Sequence, residues 1–391
     1  MIVRASAPCR GAQSWRRRCA NATARLMWSL LAVAALAVFA APADAFPLYA
    51  SREGRNCITC HFDPNGSAMR NDFGFNYGKN RHSMGEEEKW SKVTVDPQLN
   101  DWIRLGLDTR IMYYASHVDG SSQVTSSTFF PMEGNLRLAI TPHDYLTIIA
   151  THGLVVESPG FPDSYVAREI YGLFHGFAKD LFIQVGRFRL PFGLRQEDHT
   201  SYTRAFLPYD SQREDAGIEI GAIGNNWFGQ ASLTNGGDPF NQRAGTFVGK
   251  VGRASRAFQF GLSGYQGTGF VAGSNFHRWS LYASTTRGPF TILGEYVADD
   301  FKPDESEKAA FTEVVYRASR GVNLRAKLDY FGPVAGDPFV EVRRRYTAEV
   351  DINPIPFTDI KVSYRRYSYS STQNVSTSDY DEYFAMLFIP F

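Results

Sequence analysis

A chain of 391 residues with a formal net charge of +1 has room for two or three ordinary domains or one large barrel. The charge is uneven: Arg4, Arg10, Arg16, Arg17, Arg18 and Arg25 crowd residues 1–26, where there is no acid. Without residues 1–45 the net charge becomes −4, which argues against nucleic acid as a partner, and only Cys57 and Cys60 of the four cysteines remain.

The basic leader runs into an apolar stretch, Met27 to Ala41, which Pro42 ends. Ala43-Asp44-Ala45 then precedes Phe46. A basic segment, an apolar core and a small-x-small site describe a secretory signal peptide cleaved after Ala45. The apolar run is shorter than the roughly 20 residues of a spanning helix.

Next comes Cys57-Ile58-Thr59-Cys60-His61, the C-x-x-C-H pattern of covalent c-type haem attachment. Two thiols at this spacing reach one porphyrin edge, and the adjoining histidine falls under the iron as proximal ligand. A disulfide leaves His61 unexplained, and a thioredoxin-like redox pair needs a βαβ context that is missing. For the distal ligand the nearest residues are His82, Met84 and Met69. Methionine opposite histidine gives a higher potential than a second histidine. His82 stands in a basic polar stretch where a solvated surface histidine is the plainer expectation. Residues 46–100 are few, polar and poor in Leu, Ile and Val, so the rest of the chain is expected to complete any haem pocket.

From about residue 101 the pattern has period two. Val322, Leu324, Ala326, Leu328 and Tyr330 alternate with Asn323, Arg325, Lys327 and Asp329. Tyr346 to Ile352, Ile103 to Ile111 and Ile360 to Tyr364 behave alike. A soluble sandwich also alternates. The strands, however, run to about ten residues, the length of a tilted membrane strand, and aromatics make up 14% of the chain, often near strand ends.

Strands are expected near 102–115, 127–140, 144–156, 164–176, 181–190, 214–223, 226–234, 245–253, 256–265, 276–285, 289–298, 309–318, 322–331, 342–352, 359–369 and 379–391. Connections alternate between short and long. Short turns fall at 142–143, 178–179, 224–225, 254–255, 287–288 and 320–321, with a longer link at 353–358. Long loops include 157–163, 191–213, 235–244, 266–275, 299–308 and 332–341. That alternation marks an outer-membrane barrel. The expected fold is all-β: a transmembrane antiparallel barrel of about 16 strands over 101–391, a signal peptide over 1–45 and a small N-terminal c-type haem segment over 46–100. Two strands are ambiguous: 181–190, and the last, apolar on both faces from Tyr383 to Phe391.

Terminal Phe391, with Phe384 and Phe388, resembles the last strand that outer-membrane barrels present to their assembly machinery. Gly186-Arg187-Phe188-Arg189-Leu190-Pro191-Phe192-Gly193-Leu194, Asp215-Ala216-Gly217-Ile218 and Leu233-Thr234-Asn235-Gly236 are similar to phosphate-selective-type porins. The order of parts (leader, one C-x-x-C-H, the Asp72-Phe73-Gly74 segment, then a barrel) resembles the fused monohaem cytochrome–porins of outer membranes, whose best-known members oxidise ferrous iron. Asp63-Pro64-Asn65-Gly66 and Lys79-Asn80-Arg81-His82 do not match the iron oxidases.

The resemblance implies one covalent haem c on Cys57, Cys60 and His61 in the outer membrane of a Gram-negative bacterium. It also implies electron transfer between an extracellular donor or acceptor, such as Fe(II), and a periplasmic c-type cytochrome. A diffusion porin, anion-selective through Arg104, Arg110, Arg325, Lys327 and Arg345 and plugged by the haem segment, is the alternative. A sensor or oxidase with an open iron site is a third. An anionic approach for iron would lie at Asp299 to Glu307; a solvated loop is the plainer expectation there, as for Glu86-Glu87-Glu88. His143, His152 and His175 lack metal-ligand spacing.

Overall fold

A computed structural model describes residues 48–66, 69–93, 95–120, 126–154, 167–178, 180–205, 214–224, 227–236, 245–255, 258–268, 275–300, 306–333, 342–370 and 378–391. The leader and the centre of the 299–308 loop lie outside them.

Sixteen strands form one closed antiparallel barrel, each paired with its sequence neighbours and the last with the first. They are β1 (Ile103–Val118), β2 (Ser126–His143), β3 (Leu146–Gly153), β4 (Ala167–His175), β5 (Leu181–Phe188), β6 (Asp215–Ile223), β7 (Trp227–Thr234) and β8 (Thr246–Ala254). Then follow β9 (Phe258–Thr268), β10 (Asn275–Arg287), β11 (Phe290–Asp300), β12 (Ser306–Ser319), β13 (Val322–Pro333), β14 (Val342–Ile352), β15 (Asp359–Ser370) and β16 (Tyr380–Pro390). The strand count agrees with the sequence pattern. The β2–β3 turn falls two residues later than expected, at 144–145, because His143 still pairs with Leu146 across a register irregularity.

The polarity is that of a membrane barrel. Leu324 and Leu328 of β13 and Val362 and Tyr364 of β15 are exposed on the outside. Asn323, Lys327, Asp329, Lys361, Ser363 and Arg365 on the same strands are buried in the lumen. A closed sheet with apolar residues outside and charges inside suits lipid around it and polar contents within it. Aromatic pairs cap the outer band, Phe290 with Tyr316 at 4.9 Å near the short turns and Trp279 with Tyr296 at 5.2 Å nearer the long loops.

Among the described residues, two pieces of chain occupy the lumen. The N-terminal segment contributes α1 (Leu48–Glu53), α2 (Cys57–Cys60) and α3 (Asp72–Lys79). Its far end lies against the short turns, where the Arg320 guanidinium donates to the carbonyls of Met84 (2.8 Å) and Gly85 (3.0 Å). From the long-loop side, residues 189–205 fold inward and end in α4 (Tyr202–Ala205). The Gly193 amide donates to Ser263 Oγ (2.9 Å) and the Leu194 amide to Glu295 (2.8 Å). The loop that begins in the porin-like Gly186–Leu194 stretch is therefore an internal one.

The two ambiguous strands line the plug. Phe384, Met386 and Phe388 of β16 are buried on the inner face, and Arg110 stacks over Phe388 at 4.3 Å. On β5, Phe182 and Phe188 join a buried cluster with Met69, Ala139, Ile149, Tyr171 and Leu173. Inner walls that meet protein can be apolar; those that meet water cannot.

Candidate functional site

The C-x-x-C-H motif starts as one helical turn. α2 places Cys57 and Cys60 on neighbouring positions, and the His61 amide donates back to the Cys57 carbonyl at 2.9 Å. The chain then reverses: Phe62 donates to Met69 O (3.2 Å) and Asn71 to Cys60 O (3.1 Å). Asn71 caps α3 by accepting from the Gly74 amide at 3.0 Å, and its Nδ2 donates to Ile58 O at 2.9 Å. α2 and α3 thereby become a rigid pair. A Cβ at Gly74 would lie 2.7 Å from the Cys60 carbonyl carbon, so the approach demands glycine.

The Asp63-Pro64-Asn65-Gly66 turn fastens this pair to the barrel. Asn65 Nδ2 donates to both carboxylate oxygens of Glu219 (3.0 Å each) and Gln230 donates to Asn65 Oδ1 (2.9 Å). Gln184 donates to Asp63 (3.2 Å), and Arg195 from the inner loop donates to the Asn65 carbonyl (2.9 Å). The stretch that matched no iron oxidase is thus the anchor of the segment. Replacing Asn65 with Ala strands Glu219 and Gln230 in a dry wall. The expected cost is about 2–3 kcal/mol, read as a lower denaturation temperature of the folded barrel on semi-native gels; an unchanged temperature would refute the anchor.

Cys57, Cys60, His61 and His82 line one cavity of about 1190 Å³, solvent mouth included. Its other walls come from α1, α3, the inner loop and strands β1, β2, β15 and β16, with Phe388 and Pro390 from the last. Cys57 and Cys60 are not joined in a disulfide. Burial pushes both upward, Cys60 to about 11, which is unlike the acidic thiol of a redox pair.

His82 is not a surface residue. Arg81 and His82 both adopt left-handed backbone (φ 54° and 50°), which turns the chain inward after α3. Arg81 forks onto Glu87 at 2.8 and 2.7 Å, so that acid of the 86–88 run is paired rather than merely solvated. The His82 ring is 8% exposed and stacks on Tyr49 at 4.5 Å. Nδ1 of His61 and of His82 are both buried without a hydrogen bond, although Asn353 approaches the His82 ring. Burial, reinforced by Arg70, lowers His61 to about 3 and His82 to about 4. Both are therefore neutral at pH 7, the form that ligates a metal.

The two methionines are elsewhere. Met69 packs into the β2–β5 wall, and Met84 is 43% exposed; neither lines the cavity. Two thiols, two neutral histidines with orphaned ring nitrogens and a cavity that all four line fit haem c. His199, which spacing did not single out, also reaches the cavity beside Arg110 (3.0 Å).

The lumen cations are where the alternation put them, but each has an acid. Arg104 pairs with Asp72, and Arg110 with Glu133 at 3.0 Å. Arg325 meets Asp351 at 2.8 Å, Lys327 meets Asp198 at 3.0 Å, and Arg345 meets Asp198 and Asp329 at 2.7 and 2.8 Å. Asp299 belongs to β11 and is bound to Arg278 at 2.6 Å, so it is not part of an open acidic loop. His143 ends β2 rather than sitting in the turn, and the His175 ring contacts Thr147 at 3.0 Å.

No protein-family model and no curated protein sequence matches the chain. Solved structures do. In-vitro folded OmpT of Vibrio cholerae, in its trimer form, aligns at a TM-score of 0.56 with 12% identity over 74% of this chain and 100% of its own. An anion-selective porin from Comamonas acidovorans gives 0.56 with 10% identity over 74% and 99%. The outer membrane channel DcaP of Acinetobacter baumannii gives 0.52 with 9% identity over 76% and 100%. The chain has the porin-type barrel fold. At these identities the likeness is one of fold and leaves the contents of the lumen to be argued from the residues themselves.

Proposed function

We propose that the protein is an electron carrier of the Gram-negative outer membrane whose N-terminal segment holds one haem c inside a porin-type barrel. A single observation carries this reading: Cys57, Cys60, His61 and His82, from two turns of a short segment, line one cavity. Cys57 and Cys60 would hold the group as thioethers, His61 would be the proximal ligand and His82 the distal one. When bound, haem supplies reversible one-electron exchange at iron, at a potential set by its ligands and burial. The chain keeps both imidazoles neutral, excludes bulk water with the inner loop and β16, and fixes α2 against α3 through Asn71 and Gly74. The partners that follow are lipid outside, a periplasmic c-type cytochrome on the short-turn side and an extracellular donor or acceptor, such as Fe(II), on the other.

The purified protein is expected to show a six-coordinate c-type spectrum that carbon monoxide leaves unchanged. His82→Ala opens the sixth position, so the reduced variant is expected to bind carbon monoxide nearly fully. An unchanged spectrum in that variant would remove His82 as ligand, and carbon monoxide binding to the parent protein would favour the sensor or oxidase reading. Reduction by added Fe(II) tests the donor.

The second reading, a diffusion porin, is favoured by the solved porins that share the fold. The N-terminal segment and the inner loop both occupy the lumen, and Arg104, Arg110, Arg325, Lys327 and Arg345 are each paired with an acid. Together these weigh against a wide anion-selective pore. Planar bilayers decide: little current supports the carrier, and porin-sized steps support the channel.

A further inference from the structure

Five arginines line the cavity: Arg70, Arg110, Arg137, Arg189 and Arg195. Four of them have acids. Arg110 has Glu133 at 3.0 Å, Arg137 has Asp108 at 2.5 Å, Arg189 has Glu214 at 3.3 Å, and Arg195 has Glu169 at 3.7 Å and Asp63 at 3.9 Å. Arg70 has none. Among the described residues its guanidinium makes no hydrogen bond and no ion pair, and Nη1 is fully buried. The side chain lines the cavity together with Cys60, His61 and His82. Asp108 has the strongest favourable influence on it but is committed to Arg137. A buried cation without a counter-ion is too costly to keep unless something supplies an anion.

We infer that Arg70 binds a carboxylate of the cavity's ligand, which on the haem reading is a propionate. The inference rests on that reading and adds a residue to it. A planar guanidinium presents two parallel N–H donors, which match a carboxylate. Gly78 keeps the site open, since a Cβ there would collide with Arg70 Nη1. Arg70 follows Met69 in the return strand that pairs with His61, so the fold that sets the proximal histidine also sets this cation.

The test uses the full-length chain matured with haem and purified from membranes. Arg70→Gln is expected to keep its covalent haem while its midpoint potential falls below that of the parent, because a cation beside the iron disfavours the ferric state. The potential of this variant should also depend more steeply on pH where a propionic acid titrates, since the cation no longer holds that acid ionised. Arg70→Lys, which keeps the charge, should stay near the parent in both respects. A loaded Arg70→Gln with the parent's potential and pH dependence overturns the assignment. If Arg70→Gln does not load, the lysine variant decides: loaded and near the parent potential supports the site, unloaded or shifted counts against it. A parent protein without covalent haem sinks the haem reading itself and this inference with it, and that result is seen before any variant is made.

Discussion

On the proposed haem reading, Gly74→Ala is expected to remove most of the covalent haem while leaving the barrel in the membrane. The added methyl carbon would sit 2.7 Å from the Cys60 carbonyl carbon and 2.9 Å from its Cα. Both are backbone atoms, so no side chain can swing aside, and α3 must move away from α2. Overpacking of this kind costs about 1–3 kcal/mol. Here the displacement also strains the Asn71 cap and its bond to Ile58. The barrel has its own interstrand bonds and should fold regardless. Haem absorbance per mole of folded barrel measures the effect; parent-like loading would mean that the α2–α3 contact does not shape the site.

Asp198→Asn is the second large effect. One carboxylate holds Lys327 (3.0 Å), Arg345 (2.7 Å) and Arg365 (3.2 Å), three cations from three adjacent strands. Their charges keep Asp198 well below the usual carboxylate range despite its burial. Breaking a buried pair costs about 3–5 kcal/mol, while the neighbouring Glu197 keeps its own tie to Lys361. Thr200 and Ser201 depend on the same network: Arg345 donates to Thr200 (2.5 and 3.0 Å), and Ser201 donates to Asp329 (2.6 Å). Amide hydrogens of residues 198–204 should exchange at least about tenfold faster in the variant, since local opening sets their rate. Unchanged protection by mass spectrometry would show that the loop is held by packing alone.

The barrel was legible because its physics is local. Alternation through Asn323, Arg325, Lys327 and Asp329 needs only a strand with one wet and one greasy side, and alternating connection lengths made the count sixteen. The interior was much less legible. Asn65 finds Glu219 and Gln230 at separations of 154 and 165 residues, and Asp198 finds Arg345 across 147. No local period encodes such pairs. His82 looked solvated because its neighbours Lys79, Asn80 and Arg81 are polar; the barrel around them, not their own composition, decides its burial. One signal was available. β5 and β16 broke the alternation with Phe182, Phe188, Phe384 and Phe388 on the lumen side, and an apolar lumen face announces protein inside the barrel.

The seam of the cylinder carries a last consequence. Phe391 closes it, exchanging backbone bonds with Leu107 at 2.9 and 2.7 Å, while its ring meets Phe75 of α3 edge-on at 6.1 Å and Phe357 at 6.0 Å. The residue that completes the wall is also a contact of the contents. Closure and filling are therefore one cooperative unit: loosening either raises the free energy of the other, and the seam cannot open without unpacking what it encloses.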